Sequence, residues 1–393
     1  MHKKLFSSPS PSRSQKMGLL LGAGALGAAA TAAWVALRAR RAEREHPPQG
    51  RFVEVDGVRL HCVERGEGPL VVLLHGNAVT LDDFEASGLL DALAQEHRVI
   101  AFDRPGFGHS SRPRDRFWTP AAQADLLAAA LQQLGAGPAF VVGHSMGTMV
   151  AAALALNHPE RVRGLALLGG YYYPSARVDA LLVVPVALPV LGDVLRYTAT
   201  PLAARAVLGK MVALMFSPRP VPSAFDATLS KEMMLRPVQL RADAEDGALM
   251  VPGAVSAKDR YSELAGLPLL LVAGADDRVV DPGAQSGRLH SELPHSSTLV
   301  VVPRAGHMVH YDPKVRARVV AAAKNAPLQP AARQAAGSAA ALQRRVVCGV
   351  TQAPQHHAPQ PFLAHRPAGW PVTGRSASAP LCASLLLDFA IEK

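Results

Sequence analysis

The sequence predicts an α/β fold with a mostly parallel sheet, helices on both faces of the sheet and an inserted helical lid. Two observations support this class. Short, continuous apolar stretches alternate with longer helix-forming stretches over residues 70–168 and again over residues 267–324. Between these two series, residues 171–261 form a proline-interrupted, mostly apolar insertion. Strands that are apolar throughout are typical of parallel sheets covered on both faces, because both of their own faces are buried.

Residues 1–16 form a basic segment, and residues 17–37 form an uncharged run. A helix of about 20 apolar residues can cross a bilayer, so this run predicts a transmembrane anchor. The alternative is a cleaved signal peptide, which would leave a secreted or periplasmic enzyme, but its apolar region is normally shorter and ends at a small-residue cleavage site. Each flank of the run carries four Lys or Arg residues, so charge leaves the orientation of the anchor open.

Residues 38–50 are predicted to be a linker and residues 51–326 the main domain. The domain starts with alternating residues on either side of Asp56-Gly57. This dipeptide favours a tight turn with positive φ, so the alternation predicts a β-hairpin.

The elements that follow are assigned from the alternation. Strands are predicted at residues 70–74, 98–102, 139–142, 162–168, 267–273 and 298–302, and helices at residues 81–95, 120–134, 148–157, 282–292 and 314–324. Ligands of open α/β sheets bind at the carboxyl ends of the strands, so the insertion at residues 171–261 is predicted to cover the site as a lid. Its apolar composition favours a substrate with an apolar portion.

Residues 327–393 are predicted to be a disordered tail, because they are rich in Ala, Pro, Gln, Arg and Ser and lack sustained periodicity. His356 and His357 are adjacent there, but no other metal ligand is near them in the sequence. No metal site is therefore predicted.

The net charge of +10 arises at the two ends of the chain. Residues 1–47 carry six excess positive charges and residues 328–393 carry four, whereas residues 48–327 contain 27 basic and 27 acidic side chains. The main domain is neutral, which predicts no nucleic-acid partner. The three cysteines have no C-x-x-C spacing and indicate neither a disulfide framework nor a zinc site. No glycine motif for phosphate or dinucleotide binding lies where one is expected, so no cofactor is predicted. The sequence leaves the oligomeric state open.

The segment Gly143-His144-Ser145-Met146-Gly147 follows a predicted strand and precedes a predicted helix. A G-x-S-x-G pattern in this context is typical of a nucleophile elbow, in which the serine lies at a strained turn. Side chains cannot crowd the backbone at such a turn, which accounts for the two glycines. The pattern predicts Ser145 as a catalytic nucleophile.

Five motifs follow predicted strands: HGN at residues 75–77, DRPGFGHS at 103–110, GHSMG at 143–147, GADDRVV at 274–280 and AGHMVHYDP at 305–313. With these motifs, residues 51–324 resemble the serine-nucleophile branch of the α/β-hydrolase superfamily, of the esterase- and lipase-like kind. The resemblance implies a serine hydrolase that cleaves an ester-like bond in a small substrate. Relatives that open epoxides or displace halide carry Asp at the nucleophile position, so Ser145 favours acyl transfer to water.

The resemblance implies that Asp277 is the acid and His307 the base of a catalytic triad, in the family's order of nucleophile, acid and base. Asp276 and His310 are the weaker alternatives for these two roles. Gly306 is expected to let the loop that carries His307 approach the serine.

The resemblance also implies that the backbone N–H groups of Asn77 and Met146 form the oxyanion hole. It gives Asp103 and Arg104 a structural role in holding loops. In the same way, His144 is expected to shape the pocket and His75 to structure its own loop.

Several activities share this triad and remain open: carbon–carbon bond hydrolase, lactonase, thioesterase, acyltransferase and cofactor-free haloperoxidase. The alternative outside enzymes is a catalytically idle scaffold that binds a lipid or a partner in the lid groove. Such a scaffold has no need of Ser145, Asp277 and His307 together.

Overall fold

A computed structural model of the protein describes residues 12–176 and 178–330. Most of the predicted basic segment and the predicted tail from residue 331 onward, with His356 and His357, lie outside the described residues. The strands are β1 (Arg51–Val55), β2 (Val58–Arg65), β3 (Leu70–Leu74), β4 (Arg98–Phe102), β5 (Ala139–His144), β6 (Val162–Leu168), β7 (Leu269–Gly274) and β8 (Ser297–Val302). The helices are α1 (Arg13–Glu45), α2 (Asp82–Ala86), α3 (Leu89–Ala94), α4 (Pro120–Gln133), α5 (Met146–Asn157), α6 (Val178–Ala187), α7 (Leu191–Leu195), α8 (Ala199–Phe216), α9 (Ser223–Thr228), α10 (Lys231–Met234), α11 (Pro237–Ala257), α12 (Arg288–Glu292) and α13 (Pro313–Asn325).

The strands form one sheet in the order β1-β2-β4-β3-β5-β6-β7-β8. β1, β2 and β4 pair antiparallel, and every pair from β4 to β8 is parallel. The predicted hairpin is present, since Val55 pairs with Val58 and both Asp56 (φ 48°) and Gly57 (φ 74°) have positive φ. The parallel strands bring their carboxyl ends, and the motifs that follow them, to one edge of the sheet.

Alternate residues of the central strands pack into two cores. Val72 and Leu74 of β3 pack in one core with residues of α4 and α5. Val71 and Leu73 pack in the other core with residues of α3 and α13. The sheet is therefore covered on both faces, and the predicted fold class is confirmed.

Two predicted helices are interrupted. The helix expected over residues 81–95 is split into α2 and α3 at Gly88, whose φ of 70° no right-handed helix can contain. The helix expected over residues 282–292 begins with a π-helical turn, Gly283–Gly287, before α12. Glycines at both ends of that turn weaken the α-helical preference.

α1 is 33 residues long and extends past the predicted end of the anchor. Residues 38–45, predicted as part of the linker, are helical, which corrects that boundary. Arg and Glu are strong helix formers, an Arg41–Glu45 ion pair spans one turn, and Ala42 is buried. By length and composition, α1 and α8 are the two described helices that could cross a membrane.

The predicted insertion contains α6 to α11, which lie between β6 and β7 in the chain. α11, the longest of these helices at 21 residues, packs beside α6. Its side chains reach the loops after β3 and β4, where the candidate site lies.

Candidate active site

Ser145 lies between β5 and α5 with φ 51° and ψ −120°. This conformation costs a residue with a side chain about 1–3 kcal/mol. Its N–H donates to the carbonyl of Leu168 at 2.9 Å. A β-carbon at Gly143 would lie 2.5 Å from the carbonyl oxygen of Gly147, and one at Gly147 would lie 2.1 Å from that of Leu74. The sequence G-x-S-x-G thus forms a tight, strained turn that aims the first turn of α5 at the serine.

Asp277 and His307 come together from the loops after β7 and β8. Oδ2 of Asp277 is 2.8 Å from Nδ1 of His307, and only 2% of each side chain is exposed. Oδ1 of Asp277 accepts the N–H groups of Val279 and Val280 at 2.8 and 3.0 Å. Three hydrogen bonds therefore fix this carboxylate, whereas the neighbouring Asp276 is exposed.

The end of β6 contacts both the serine and the histidine. Leu168 O holds the N–H of Ser145, and a β-carbon at the next residue, Gly169, would lie 3.3 Å from Nδ1 of His307. The ring of His144 lies 5.0 Å from that of His307. Ser145, His307 and Asp277 therefore line one edge of the sheet.

Gly306 lies close to the end of α8, whereas the sequence predicted that this glycine would let the loop approach Ser145. A β-carbon there would lie 2.3 Å from the carbonyl oxygen of Ser217 and 2.8 Å from that of Met215. The N–H of His307 also donates to Met215 O at 2.8 Å. The missing side chain thus lets the loop pack against the end of α8.

The two predicted oxyanion donors belong to the loop after β3 and to the start of α5, and both of these segments lie next to Ser145. Met146 is the first residue of α5, so its N–H has no partner four residues earlier in the helix. Asn77 follows Gly76, where a β-carbon would lie 3.0 Å from Cβ of Ser145. Helix α5 also directs its positive dipole end at this point, which favours negative charge there.

The loop of Asn77 is held by Arg104, which is fully buried. The Arg104 guanidinium donates to the carbonyls of His75 at 2.8 Å and Gly76 at 3.1 Å, and to Oδ1 of Asn77 at 2.7 Å. It also pairs with the buried Asp246 of α11. This is the loop-holding role that the sequence suggested for Arg104.

Asp243 and Asp246 contact the loops of the candidate site, and sequence reasoning missed them. Oδ1 of Asp243 accepts the N–H of Ala78 at 2.7 Å, so a helix of the insertion fixes the loop of the predicted oxyanion donor. Burial raises the pKa of Asp243 to about 7. Asp246 binds both Arg104 and the buried Arg112. The sequence carried no signal for these two acids, because they are two of eight acidic residues in the insertion.

His75 is a neutral structural histidine. Its Nδ1–H donates to Gly76 O at 2.7 Å, and its Nε2 accepts the N–H of Arg104 at 2.9 Å. Burial, and then the charge of Arg104, lower the pKa of His75 to about 4. Both nitrogens are thereby used to shape the loop, as the resemblance implied.

A second buried Asp–His pair lies behind His307. Oδ2 of Asp83 is 2.8 Å from Nε2 of His310, and Oδ1 accepts the hydroxyl of Tyr311 at 2.8 Å. The ring of His144 lies 4.4 Å from that of His310, and its Nε2 contacts His307 O at 3.2 Å. Burial, followed by the charges of His310 and His307, lowers the pKa of His144 well below its usual range. Asp83 therefore engages Nε2 of His310 within this buried cluster.

Asp83, His144 and His310 are also the group of described residues that could hold a metal ion, with ligand atoms within 4.8 Å of one another. Within residues 12–176 and 178–330, Nδ1 of His144 and Nδ1 of His310 have no hydrogen-bond partner. However, Asp83 and His310 already satisfy each other through their hydrogen bond. The contacts present are those of a structural cluster on which the His307 loop packs.

Comparison with known proteins gives the family. Residues 69–314 match the family model of the alpha/beta hydrolase fold. The dihydrolipoyllysine-residue acetyltransferase component of the acetoin cleaving system of Cupriavidus necator is 34% identical over 274 residues, which cover 66% of this chain and 64% of that protein. The 2-hydroxymuconate semialdehyde hydrolase of Pseudomonas putida is 36% identical over 128 residues, 33% of this chain and 46% of that protein. The chain thus matches less than two thirds of the length of each of these relatives.

Solved structures agree with this fold. A thermophilic esterase from Thermogutta terrifontis superposes with a TM-score of 0.56 and 25% identity over 70% of this chain and 97% of the esterase. The similar proteins thus include a semialdehyde hydrolase and an esterase.

Proposed function

The chain belongs to the alpha/beta hydrolase fold family, and on this basis we propose that it is a serine hydrolase that cleaves an ester-like bond in a small, partly apolar substrate. The nucleophile is Ser145, the base His307 and the orienting acid Asp277. The backbone N–H groups of Met146 and Asn77 stabilise the oxyanion.

The observation that carries the proposal is the 2.8 Å contact of Asp277 with Nδ1 of His307, together with Ser145 at a strained elbow. A hydrogen bond from Nδ1–H to the carboxylate leaves the Nε2 lone pair of His307 available to accept a proton. A serine hydroxyl needs such a base, because it is a weak nucleophile at neutral pH.

The reaction proceeds in two halves. As Ser145 Oγ attacks the carbonyl carbon, its proton passes to Nε2 of His307, and the carbonyl oxygen becomes an oxyanion between the N–H groups of Met146 and Asn77. Collapse of this intermediate expels the leaving alcohol, which takes the proton from His307. A water molecule then gives a proton to His307 and attacks the acyl carbon, and when this second intermediate collapses the bond to Ser145 Oγ breaks, His307 returns the proton to Oγ, and the acid is released.

Carbon–carbon bond hydrolysis is the second candidate, since the similar protein of Pseudomonas putida is named a 2-hydroxymuconate semialdehyde hydrolase. That match covers a third of this chain, whereas the match to the esterase of known structure covers 70% of it, so ester cleavage stays the first candidate. Lactone and thioester cleavage, acyl transfer to an alcohol and haloperoxidase activity use the same site residues.

We also propose that α1 is an uncleaved membrane anchor. Its carboxyl-terminal half packs on the insertion, with Val35 and Ala42 buried and Glu43 paired with Arg236. A signal peptide that is removed has no need of such contacts. Alkaline extraction of membranes should leave the full chain in the pellet with its mass intact, whereas a shortened, extractable chain would indicate the secreted or periplasmic alternative.

The test of the chemistry is covalent labelling by a fluorophosphonate probe, which needs no knowledge of the substrate. Wild type should be labelled and Ser145→Ala should not, whereas the exposed Ser262→Ala is the matched control and should be labelled as wild type is. A series of p-nitrophenyl esters of increasing chain length then measures the apolar preference. A folded wild type that resists the probe and cleaves none of the esters would refute the proposal and favour an idle binding scaffold.

A further inference from the structure

Helix α8 exposes an apolar face to the surroundings. Leu202, Val207, Met211 and Leu214 are 43–50% exposed, and small residues fill the positions between them. Lys210 is the one charged side chain on this face of the helix. Because the inner face is also apolar, α8 is apolar nearly all round, a composition normal for a helix covered on every side.

The apolar surface continues beyond α8. The segment before it, including α7, exposes Leu188, Val190, Leu191 and Val194 at 48–75%. Together with the four exposed residues of α8 named above, these form what we call the lid apolar surface. Exposed apolar side chains concentrated in two consecutive segments of a folded domain are typical of a site of interaction.

The amino-terminal part of α8 lies beside the carboxyl end of the apolar run of α1. Arg38 of α1 and Arg205 of α8 both pair with Glu232 of α10. The same two guanidinium groups lie 5.6 Å from the ring of Trp34, near the end of the apolar run. Trp and Arg at the end of an apolar helix are typical of the level of lipid headgroups. The amino-terminal part of α8 is therefore at that level if α1 spans the bilayer.

The other end of α8 contacts the candidate active site. Met215 O accepts the N–H of His307 at 2.8 Å, and the carbonyl of Ser217 packs on Gly306. One 18-residue helix thus connects the end of the anchor to the candidate base.

We propose that the lid apolar surface lies in the membrane interface beside the α1 anchor, and that the substrate is an acyl ester that resides in the lipid. The occupant is a lipid bilayer because α8, which carries half of this surface, is linked through Arg205, Glu232 and Trp34 to a helix of bilayer-spanning length. Lys210 agrees with this placement, because a lysine within an apolar face can extend its ammonium group to the headgroups. The substrate class rests on the proposed function, whereas the docking of the lid does not.

The docking is tested with the full chain in vesicles of phosphatidylcholine and phosphatidylglycerol. Met211→Cys carries an environment-sensitive fluorophore in a background with Cys348→Ser and Cys382→Ser, and doxyl-labelled lipid is the quencher. The control is Ser262→Cys, an exposed position before the amino end of β7 and thus at the sheet edge opposite the site. Leu26→Cys in the anchor reports insertion.

Quenching at positions 26 and 211 without quenching at position 262 is the expected result. Quenching at 26 alone would overturn the docking. Blue-shifted fluorescence at position 211 that the lipid quencher does not reduce, and that grows with protein concentration, would also overturn it. A second copy of the chain would then cover the surface.

The substrate class is tested by the double variant Val207→Glu with Met211→Glu. We expect about tenfold slower cleavage of a long-chain ester in vesicles, because two apolar contacts with lipid are lost, and unchanged cleavage of a short, water-soluble ester. Wild type that cleaves the short ester but not the vesicle ester would overturn the substrate class and leave the serine hydrolase intact, whereas equal rates of wild type and variant on the vesicle ester would overturn the role of the lid apolar surface in reaching it. If wild type cleaves neither ester in a Ser145-dependent manner, the proposed function and the substrate class are both wrong, and the quenching result still decides the docking.

Discussion

Asp277 and His307 lie 2.8 Å apart although 30 positions separate them in the chain. The parallel pairing of β7 with β8 brings their loops to the same edge, and two backbone N–H groups lock the carboxylate in place. This geometry orients His307 and favours the tautomer with the proton on Nδ1.

Asp277→Asn should lower kcat on a p-nitrophenyl ester by about 10³–10⁴-fold, because the amide favours the wrong tautomer of His307. The matched control is Asp276→Asn, which removes the neighbouring exposed carboxylate and should leave the rate within about twofold. A large loss from Asp276→Asn with an active Asp277→Asn would reverse the two assignments.

Ser145→Gly and Ser145→Ala should both be inactive but should differ in stability. Glycine adopts φ 51° and ψ −120° without the steric cost that alanine shares with serine. The glycine variant should therefore have the higher free energy of unfolding, by about 1 kcal/mol, measured by denaturant titration. Equal stability of the two variants would contradict a strained elbow.

The sequence could predict the class of the fold and which residues converge, because each motif follows a strand and parallel strands end at one edge. The features that the sequence did not predict include the local ends and interruptions of helices. Gly88 interrupts a helix where apolar periodicity continues, and the helix of α1 persists through charged residues that read as a linker.

No local sequence pattern predicted the contacts between segments that are distant in the chain. Asp83 and His310 are 227 positions apart, and Asp243 and Ala78 are 165 apart. Each pair joins a motif loop to a residue outside every motif. Such pairs follow from how α2 and α11 dock on the sheet, which side-chain packing decides.

Arg104→Lys should impair both stability and activity. Lysine keeps the charge but lacks the planar fork that reaches the loop of Asn77 and Asp246 at once. We expect a loss of about 2–4 kcal/mol in the free energy of unfolding and a fall in kcat. Arg112→Lys is the matched control: Arg112 is equally buried and also binds Asp246, but it makes no hydrogen bond to the Asn77 loop. It should lose stability while the folded enzyme keeps its kcat, and equal kcat values for the two variants would contradict a specific role for Arg104.

Asp243 should make stability depend on pH. Its pKa in the folded chain, about 7, lies above the ordinary value of 3.8, because burial disfavours the carboxylate. Below about pH 4 both folded and unfolded chains hold the proton, and the contribution of Asp243 to stability is complete. As pH rises from 4 to 7, the unfolded chain ionises first and this contribution is lost. Asp243 keeps some solvent exposure, so we expect a loss of about 1–3 kcal/mol over this window.

Denaturant titrations of wild type and Asp243→Asn between pH 4 and pH 7 measure this difference. The asparagine keeps an oxygen acceptor for the N–H of Ala78 and cannot ionise, so the stability of wild type relative to Asp243→Asn should fall as pH rises. Asp243→Ala also cannot ionise but removes the acceptor, so it should be less stable than Asp243→Asn by a similar amount at every pH. Parallel pH profiles for wild type and Asp243→Asn would show that the carboxylate is not perturbed by burial. The loop of Asn77 would then be held by Asp243 independently of its charge.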